Sequence, residues 1–234
     1  MALSKSASRT VAVLSGDVVG STKLPFDTFE AARATVSRAV APTQRWSKAK
    51  VFGPDFYRGD AWQLVVGDPN LGVRTAVWLK AFLIASRLEV DTRIAIGVGD
   101  VDMIDPKAIT RSTGEAFVRS GRALDDMGQR RGIIFALGDD QSALHWLPSQ
   151  VSACDFIVSR WQPSQAEVAL KFLEPQAGSQ KDIAKSVGRH PQAVSRVAND
   201  GGVLVLLDLL ASIEKVAFSV AGHDEGSLPL RTTR

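Results

Sequence analysis

Apolar residues follow two different periods along the first 140 residues of the chain. Short β-branched runs such as Val11–Ser15 (VAVLS) are typical of buried strands, whereas apolar residues three and four apart indicate amphipathic helices. The pattern predicts strands at 11–15, 55–60, 61–66, 92–98 and 132–137, a further strand start at 50–52, and helices at 26–41, 71–88 and 114–127. Pro42 is expected to end the first helix, and a hairpin is expected to turn near Arg58-Gly59-Asp60.

The order of these elements is strand, helix, two hairpin strands, helix, strand, helix, strand. Helical connections on both sides of a central hairpin give the βαββαβ arrangement of ferredoxin-like folds. The predicted fold class is therefore α+β, with a ferredoxin-like sheet. Gly and Asp residues stand at the predicted strand ends, where functional loops are usually placed.

From residue 163 onward the chain shows helix starts and no strand pattern until its tail. Ser164–Glu167 and Ser179–Asp182 have the form of capping boxes, which predicts helices at 164–173 and 180–187. Gly188 should end the second helix, and Pro191 suits the first position of a third. Residues 203–218 are predicted to form a strongly apolar helix, which either forms a dimer face or docks this region on the rest.

Composition places the chain among ordinary globular proteins, with 45% hydrophobic and 23% charged residues in 234. The net charge of +3 is too small to indicate a nucleic-acid binder by itself, although residues 160–200 carry a mild basic excess. No apolar run is long enough to span a bilayer, and the first residues lack an apolar signal core. We therefore expect a cytoplasmic protein with no membrane partner. Cys154 is the single cysteine, so an internal disulfide is excluded.

Two aspartates stand next to apolar strand-like runs. Asp17 follows Val11–Gly16, and Asp60 precedes Ala61–Val66. If the two strands are neighbours in one sheet, the carboxylates meet at one point and offer oxygen ligands to Mg²⁺ or Mn²⁺ bound with a nucleotide. The alternative is that they are ordinary strand-end and turn aspartates that share no site.

Four blocks of sequence, taken in order, resemble the catalytic domain of class III nucleotidyl cyclases, and most closely its SatD-like bacterial branch. The blocks are DVVGST (17–22), RGDAW (58–62), TRIAIGVGDV (92–101) and GEAFVRSGRAL (114–124). The resemblance covers roughly residues 10–150. It implies a homodimer, because the catalytic sites of this family form between two subunits.

Residue by residue, the resemblance implies a metal and phosphate site in this chain. Asp17 and Asp60 match the two metal-binding aspartates, with the backbone carbonyl of Val18 beside them. Arg122 matches the arginine that stabilises the transition state. In the family, one segment turns its backbone N–H groups toward the triphosphate. The matching segment of this chain consists of Val18, Val19, Gly20, Ser21 and Thr22.

The chain departs from the family at the positions that read the base and the ribose. Phe56 stands where the family has a base-reading lysine, and it can stack on a base without hydrogen-bonding its edge. Arg111 lies near the second base-reading position, and Val118 stands at the position of the ribose-orienting asparagine. Because loss of one charge-stabilising donor alone costs about 10²–10³ in rate, catalytic turnover is left open.

The segment QKDIAKSVGRHPQAVSRVAND (180–200) resembles a helix-turn-helix. Ala184 must be small where the second helix crosses, and Val187, Val194 and Val197 would join the two helices. The predicted DNA contacts are the polar residues at the start of the first helix and on the outer side of the second: Ser179, Gln180, Arg189, His190, Gln192, Ser195, Arg196 and Asn199. The alternative is a helical packing module without a role in DNA binding.

The sequence thus predicts a cyclase-like domain at 1–155, a helix-turn-helix domain at 156–222 and a disordered tail at 223–234. The leading hypothesis is a DNA-binding transcriptional regulator, whose cyclase-like domain binds a nucleotide or cyclic nucleotide or serves mainly in dimerisation. The alternative is an active cyclase with altered base specificity. A third hypothesis, a protein-interaction module, is not separated from the first by the sequence.

Overall fold

The computed structural model describes residues 9–216 and Phe218, so the predicted tail at 223–234 lies outside the described residues. The strands are β1 (Arg9–Val18), β2 (Val51–Tyr57), β3 (Ala61–Val66), β4 (Thr92–Met103), β5 (Thr113–Gly114) and β6 (Ile133–Ala136). The helices are α1 (Phe26–Thr43), α2 (Gly72–Ala85), α3 (Glu115–Asp126), α4 (Leu147–Val158), α5 (Pro163–Leu173), α6 (Gln180–Ser186), α7 (Pro191–Asp200) and α8 (Val203–Ile213). The α+β class predicted from the sequence is confirmed.

One sheet contains all six strands, in the order β2-β3-β1-β4-β5, with β6 pairing to β4. The pairings among the first five strands are antiparallel, and β6 runs parallel to β4. The pairing of β1 with β4 runs from Arg9 opposite Val101 to Val18 opposite Thr92, so both strands are longer than predicted. The hairpin between β2 and β3 turns at Arg58 and Gly59, both with positive φ, as predicted.

The two faces of the sheet are covered by different helices. Alternate residues of β1 point to opposite faces, so Ala12 and Leu14 belong to the main core under α1 and α2. Val11 and Val13 belong to a second core on the other face, together with Ala116 of α3. Odd- and even-numbered residues of β1 (residues of opposite parity) therefore contact different layers of helices.

Helix α2 is buried on almost every side because it lies between the sheet and the C-terminal helices. The buried positions run from Gly72 to Ala81 without a break. Gly72 has to lack a side chain, since a Cβ there would lie 2.7 Å from the Cβ of Ala12. A largely apolar helix is expected in such a central layer, and the two buried cations of α2, Arg74 and Lys80, are paired with Glu214 and Asp155.

The C-terminal helices share this core with the sheet. Val168 of α5 and Leu206 of α8 are fully buried in the same cluster as Leu14. At the end of α8, Asn70 donates to the carbonyls of Glu214 and Val216 at 2.5 and 2.9 Å. The predicted boundary at 155/156 falls inside α4, and the division into domains remains a prediction.

Several predicted element boundaries are wrong, and two of these errors have an identifiable physical reason. The helix predicted from Ser164 starts at Pro163 with Gln162 as its cap, because Pro takes the first helical position and moves the cap one residue earlier. α1 continues through Pro42 to Thr43. A proline in the last turn costs the helix only the one hydrogen bond that its missing N–H would have made. α8 ends at Ile213, five residues before the predicted end.

Among the described residues, no helix combines the length and the apolar character needed to cross a bilayer.

Candidate functional sites

A row of four residues crosses the sheet at the end where β1 finishes. Tyr57 is opposite Ala61, Ala61 is opposite Asp17, and Asp17 is opposite Arg93. Residues in register on neighbouring strands point to the same face. Asp17 has the same parity as Val11 and Val13, so this row lies on the α3 face of the sheet.

Arg93 holds Asp17 in a two-pronged ion pair. Nε of Arg93 donates to Oδ1 of Asp17 at 2.8 Å, and the second guanidinium nitrogen donates to Oδ2. The third nitrogen donates to the carbonyl of Gly128, at the end of α3. The hydrogen bonds to Asp17 raise the pKa of Arg93, and the negative charges of Asp17 and Asp60 add to this rise against the effect of partial burial.

Asp60 lies at the same end of the sheet, immediately before β3. Its carboxylate accepts a hydrogen bond from the hydroxyl of Ser21, in the turn that follows β1. Gly20 makes this turn possible with φ of +68°, a conformation that suits glycine. The negative charges of both carboxylates thus raise the pKa of Arg93. The site combines two negative charges with one positive charge.

Buried contacts behind the row fix the position of Asp17. Thr92 donates to the backbone carbonyl of Asp17 at 2.7 Å and accepts from the indole N–H of Trp62 at 3.2 Å. Trp62 covers Gly16 so closely that a Cβ on this glycine would lie 2.3 Å from the indole ring. The carboxylate of Asp17 is therefore presented by a rigid strand end.

The aromatic residue that accompanies Asp17 is Tyr57 rather than Phe56. Burial raises the pKa of Tyr57, and the nearby charges of Asp125 and Asp17 raise it further, against the lowering effect of Arg58. Phe56 points to the opposite face, where the guanidinium of Arg33 lies 4.7 Å from the centre of its ring.

The remaining predicted nucleotide residues are less closely associated with the carboxylates. The N–H of Val19 donates to the carbonyl of Asp91 at 2.9 Å, so it is already occupied. Arg111 is exposed on a short turn at Ile109–Arg111, and Arg122 is exposed on α3. Within residues 9–216, no hydrogen bond or ion pair joins Arg111 or Arg122 to Asp17 or Asp60.

The observed hydrogen bonds bear directly on the predicted metal. Both oxygens of Asp17 accept from Arg93, and Asp60 accepts from Ser21. A divalent cation bound at Asp17 would compete with the guanidinium of Arg93 for the carboxylate oxygens. The part of the chain that the structure describes contains no cluster of three or more His, Cys, Asp or Glu residues able to hold a metal ion.

The second candidate site is the helix pair α6–α7. Ser179 caps α6 through a reciprocal pair of hydrogen bonds with Asp182, as its sequence predicts. Gly188 turns the chain with φ of +63°, and the N–H of Arg189 donates to the carbonyl of Ala184 at 2.9 Å. Ala184 and Val194 are buried between the helices.

Most of the predicted DNA-contacting residues are exposed, and two are not. Ser195 is half-buried, and Arg189 points back toward α5, where it contacts the carbonyl of Ser164 at 3.4 Å and Glu167 at 3.5 Å. The exposed members of the predicted set are Ser179, Gln180, His190, Gln192, Arg196 and Asn199. Arg196 has only a loose contact with Asp200, 3.5 Å away.

Sequence reasoning missed Arg93 and Tyr57. Arg93 stands in the third of the four blocks that resemble the cyclase family, but only the β1–β4 register places it opposite Asp17. Tyr57 could have been found by parity, since the two-residue repeat of β2 assigns Tyr57 and Phe56 to opposite faces.

No protein-family model matches this chain, and no curated protein sequence is significantly similar to it. Function is therefore inferred from the two sites themselves.

Proposed function

We propose that this protein is a DNA-binding transcriptional regulator that contacts DNA through α6 and α7, a helix-turn-helix. The observation that carries the proposal is the outer side of α7, where Gln192, Arg196 and Asn199 are exposed together on one short helix. Gln and Asn can read adenine edges in the major groove, and Arg can bind guanine or phosphate. The tight turn at Gly188 leaves the start of α7 accessible.

The proposal extends to the rest of the chain. The first four strands with α1 and α2 form a ferredoxin-like βαββαβ unit of the cyclase-like kind, and the protein acts as a homodimer. A dimer would read two half-sites about one helical turn apart. Phe156 of α4 and Leu204 and Val205 of α8 supply an exposed apolar surface suited to self-association.

The direct test of DNA binding is fluorescence anisotropy with a labelled duplex from upstream of the protein's own gene, with a scrambled duplex for comparison. We expect binding at low salt that weakens as salt rises, since phosphate contacts release counterions. Arg196→Ala should reduce the salt slope by about one if it contacts a phosphate, or cost about 1–3 kcal/mol at one base if it reads that base. Arg130→Ala, which removes the same charge from an exposed site after α3, is the matched control.

Two results would contradict the proposal. One is the absence of a shift with either duplex at low salt. The other is an equal effect of Arg196→Ala and Arg130→Ala, which would reduce the interaction to general attraction between charges. Sedimentation of the free protein tests the homodimer separately.

The alternative function is nucleotide binding or cyclisation at Asp17 and Asp60. The observation that favours it is the convergence of both carboxylates and the Ser21 turn at one end of the sheet. Incubation with each nucleoside triphosphate and Mg²⁺ or Mn²⁺ should yield a cyclic product and pyrophosphate if the protein is a cyclase. Absence of both would exclude the reaction and leave ligand binding to be tested by titration of nucleotides and cyclic nucleotides.

The metal can be tested independently of turnover. We expect Arg93→Gln to bind Mn²⁺ about tenfold more tightly than the unmodified protein, an effect of about 1.4 kcal/mol, because the competing guanidinium is gone. Asp17→Asn should abolish this gain in calorimetric titration. Equal Mn²⁺ affinities of the unmodified protein and Arg93→Gln would argue against a metal at Asp17.

A further inference from the structure

A cavity of about 420 Å³ opens where α2 meets α5 and the turn between α6 and α7. This volume lies in the range of small-molecule sites in proteins, roughly 300–1,000 Å³. α2 covers the face of the sheet opposite the row of Asp17, and the outer side of α7 does not line the cavity. It is therefore separate from the row of Asp17, and it meets the helix pair only at the turn between α6 and α7.

The interior of the cavity offers apolar and aromatic surface. Phe82 and Trp78 line it with ring centroids 6.2 Å apart, Trp78 being only 3% exposed, and Leu170 and Val187 contribute aliphatic groups. The indole N–H of Trp78 already donates to the carbonyl of Ala39 at 2.7 Å, so it is not available to a ligand. The body of a ligand that fits here is accordingly an aromatic hydrocarbon ring system.

Two basic groups stand at the rim of the cavity, and each makes only long polar contacts with its acceptors. The guanidinium of Arg189 lies 3.4 Å from the carbonyl of Ser164 and 3.5 Å from Glu167. The ammonium of Lys171 lies 3.4 Å from Glu174. Charge-assisted hydrogen bonds are normally about 2.7–2.9 Å long, so both donors are held weakly.

Glu167 would not be left uncompensated if Arg189 turned to a ligand. Its other carboxylate oxygen is held by Arg87 at 2.8 Å. Arg189 can therefore donate to an incoming anion while Glu167 keeps a cation of its own. Glu174, the partner of Lys171, also lines the cavity, but its side chain is 43% exposed, so water can solvate its charge when Lys171 turns to a ligand. The rim can thus accommodate a negatively charged group at one end of the apolar ligand.

We propose that this cavity binds an aromatic carboxylate, with its ring system against Trp78 and Phe82 and its carboxylate accepting from Arg189 and Lys171. The ligand would draw Arg189 away from α5. Because Arg189 stands two residues before α7, occupancy would alter the contact that holds the turn of the helix pair. Any effect on DNA affinity rests on the proposed function, whereas binding of the ligand does not.

The experiment uses 2-naphthoate and its uncharged analogue 2-naphthamide as probes, titrated calorimetrically into the full-length protein without DNA. We expect saturable binding of naphthoate at one site per chain. Arg189→Gln should weaken naphthoate binding about tenfold, the effect of one lost charge-assisted hydrogen bond. The same variant should change naphthamide binding by less than about twofold.

Two further variants complete the test. Lys185→Gln removes one charge from α6 at an exposed position outside the cavity and should leave both affinities unchanged. Leu170→Trp, which fills the cavity, should abolish binding of both probes while circular dichroism reports a folded chain. If Leu170→Trp does not fold, the comparison of Arg189→Gln with Lys185→Gln decides.

The proposal is overturned if naphthoate shows no saturable binding up to several millimolar. It is equally overturned if Arg189→Gln weakens naphthoate no more than Lys185→Gln does, or if folded Leu170→Trp still binds. Because DNA is absent throughout, none of these outcomes depends on whether the protein binds DNA.

Discussion

Replacement of Glu214 by alanine should test what holds the C-terminal helices on the sheet. Glu214 follows α8, and both of its carboxylate oxygens accept from Arg74 of α2, at 2.5 and 3.1 Å. Arg74 also donates to the carbonyl of Leu173 at 3.0 Å, at the end of α5. One guanidinium therefore joins three helices.

The magnitude follows from the burial of the two groups. The Arg74 side chain is 8% exposed, so Glu214→Ala leaves a nearly buried charge whose remaining hydrogen-bond partner, among the residues that the structure describes, is the Leu173 carbonyl. Breaking a buried pair in this way costs about 3–5 kcal/mol. Since the Glu214 side chain is 24% exposed and water screens part of the interaction, we expect a loss of about 2–3 kcal/mol in the free energy of unfolding.

The assay is urea denaturation followed by tryptophan fluorescence and circular dichroism. Asp200→Ala is the matched control, because its partner Arg196 is 84% exposed and 3.5 Å away, and it should cost less than about 0.5 kcal/mol. The double variant Arg74→Met/Glu214→Leu should lose less than Glu214→Ala, since it leaves no unpaired charge. A cost for Glu214→Ala no greater than that of the control would refute the reasoning.

Three further predictions concern separate parts of the chain. Gly132→Ala should lower the free energy of unfolding by about 2–4 kcal/mol in urea titrations, because φ is +107° and the new Cβ would lie 2.1 Å from Asp155. Burial raises the pKa of the Cys154 thiol to about 12, so the native protein should not react with a disulfide reagent at pH 8, although the unfolded chain should. Hydrogen bonds from Ser179 lower the pKa of Asp182 below its ordinary value of 3.8, so this carboxylate stabilises α6 above pH 3.8 and loses that effect as the pH falls through the lowered pKa. Ser179→Ala should remove this acid-side change in amide exchange of α6.

Two of these predictions have a matched control variant in the same chain, and each has an outcome that would contradict it. Gly121→Ala lies on α3 with open space around its Cβ, and should be neutral or slightly stabilising. Equal losses at positions 121 and 132 would contradict the steric argument. Prompt modification of the native thiol would show that Cys154 is accessible. Ser164→Ala, at a serine that does not cap α5, should leave the acid-side exchange unchanged.

Local signals predicted most of the elements, whereas contacts distant in sequence decided the sites. The hairpin was predictable because Arg58-Gly59 favours a tight turn between two apolar runs. The pairing of Arg93 with Asp17 joins residues 76 positions apart, and no local rule contains that information. α4 was not predicted, although Leu147, Val151, Cys154 and Val158 have helical spacing and are all fully buried. It begins without a side-chain cap, so the capping signal was absent, although Pro148 stands in its first turn.

The continuous core across residue 155 matters for anyone who wishes to isolate the helix pair. An excised fragment beginning at 156 would lose α2, and with it the cover of Val168, Phe172 and Leu206. Such a fragment would expose apolar surface that is buried in the intact protein, and it would therefore tend to self-associate. DNA affinity should therefore be measured on the whole chain, since truncation would change the object being measured.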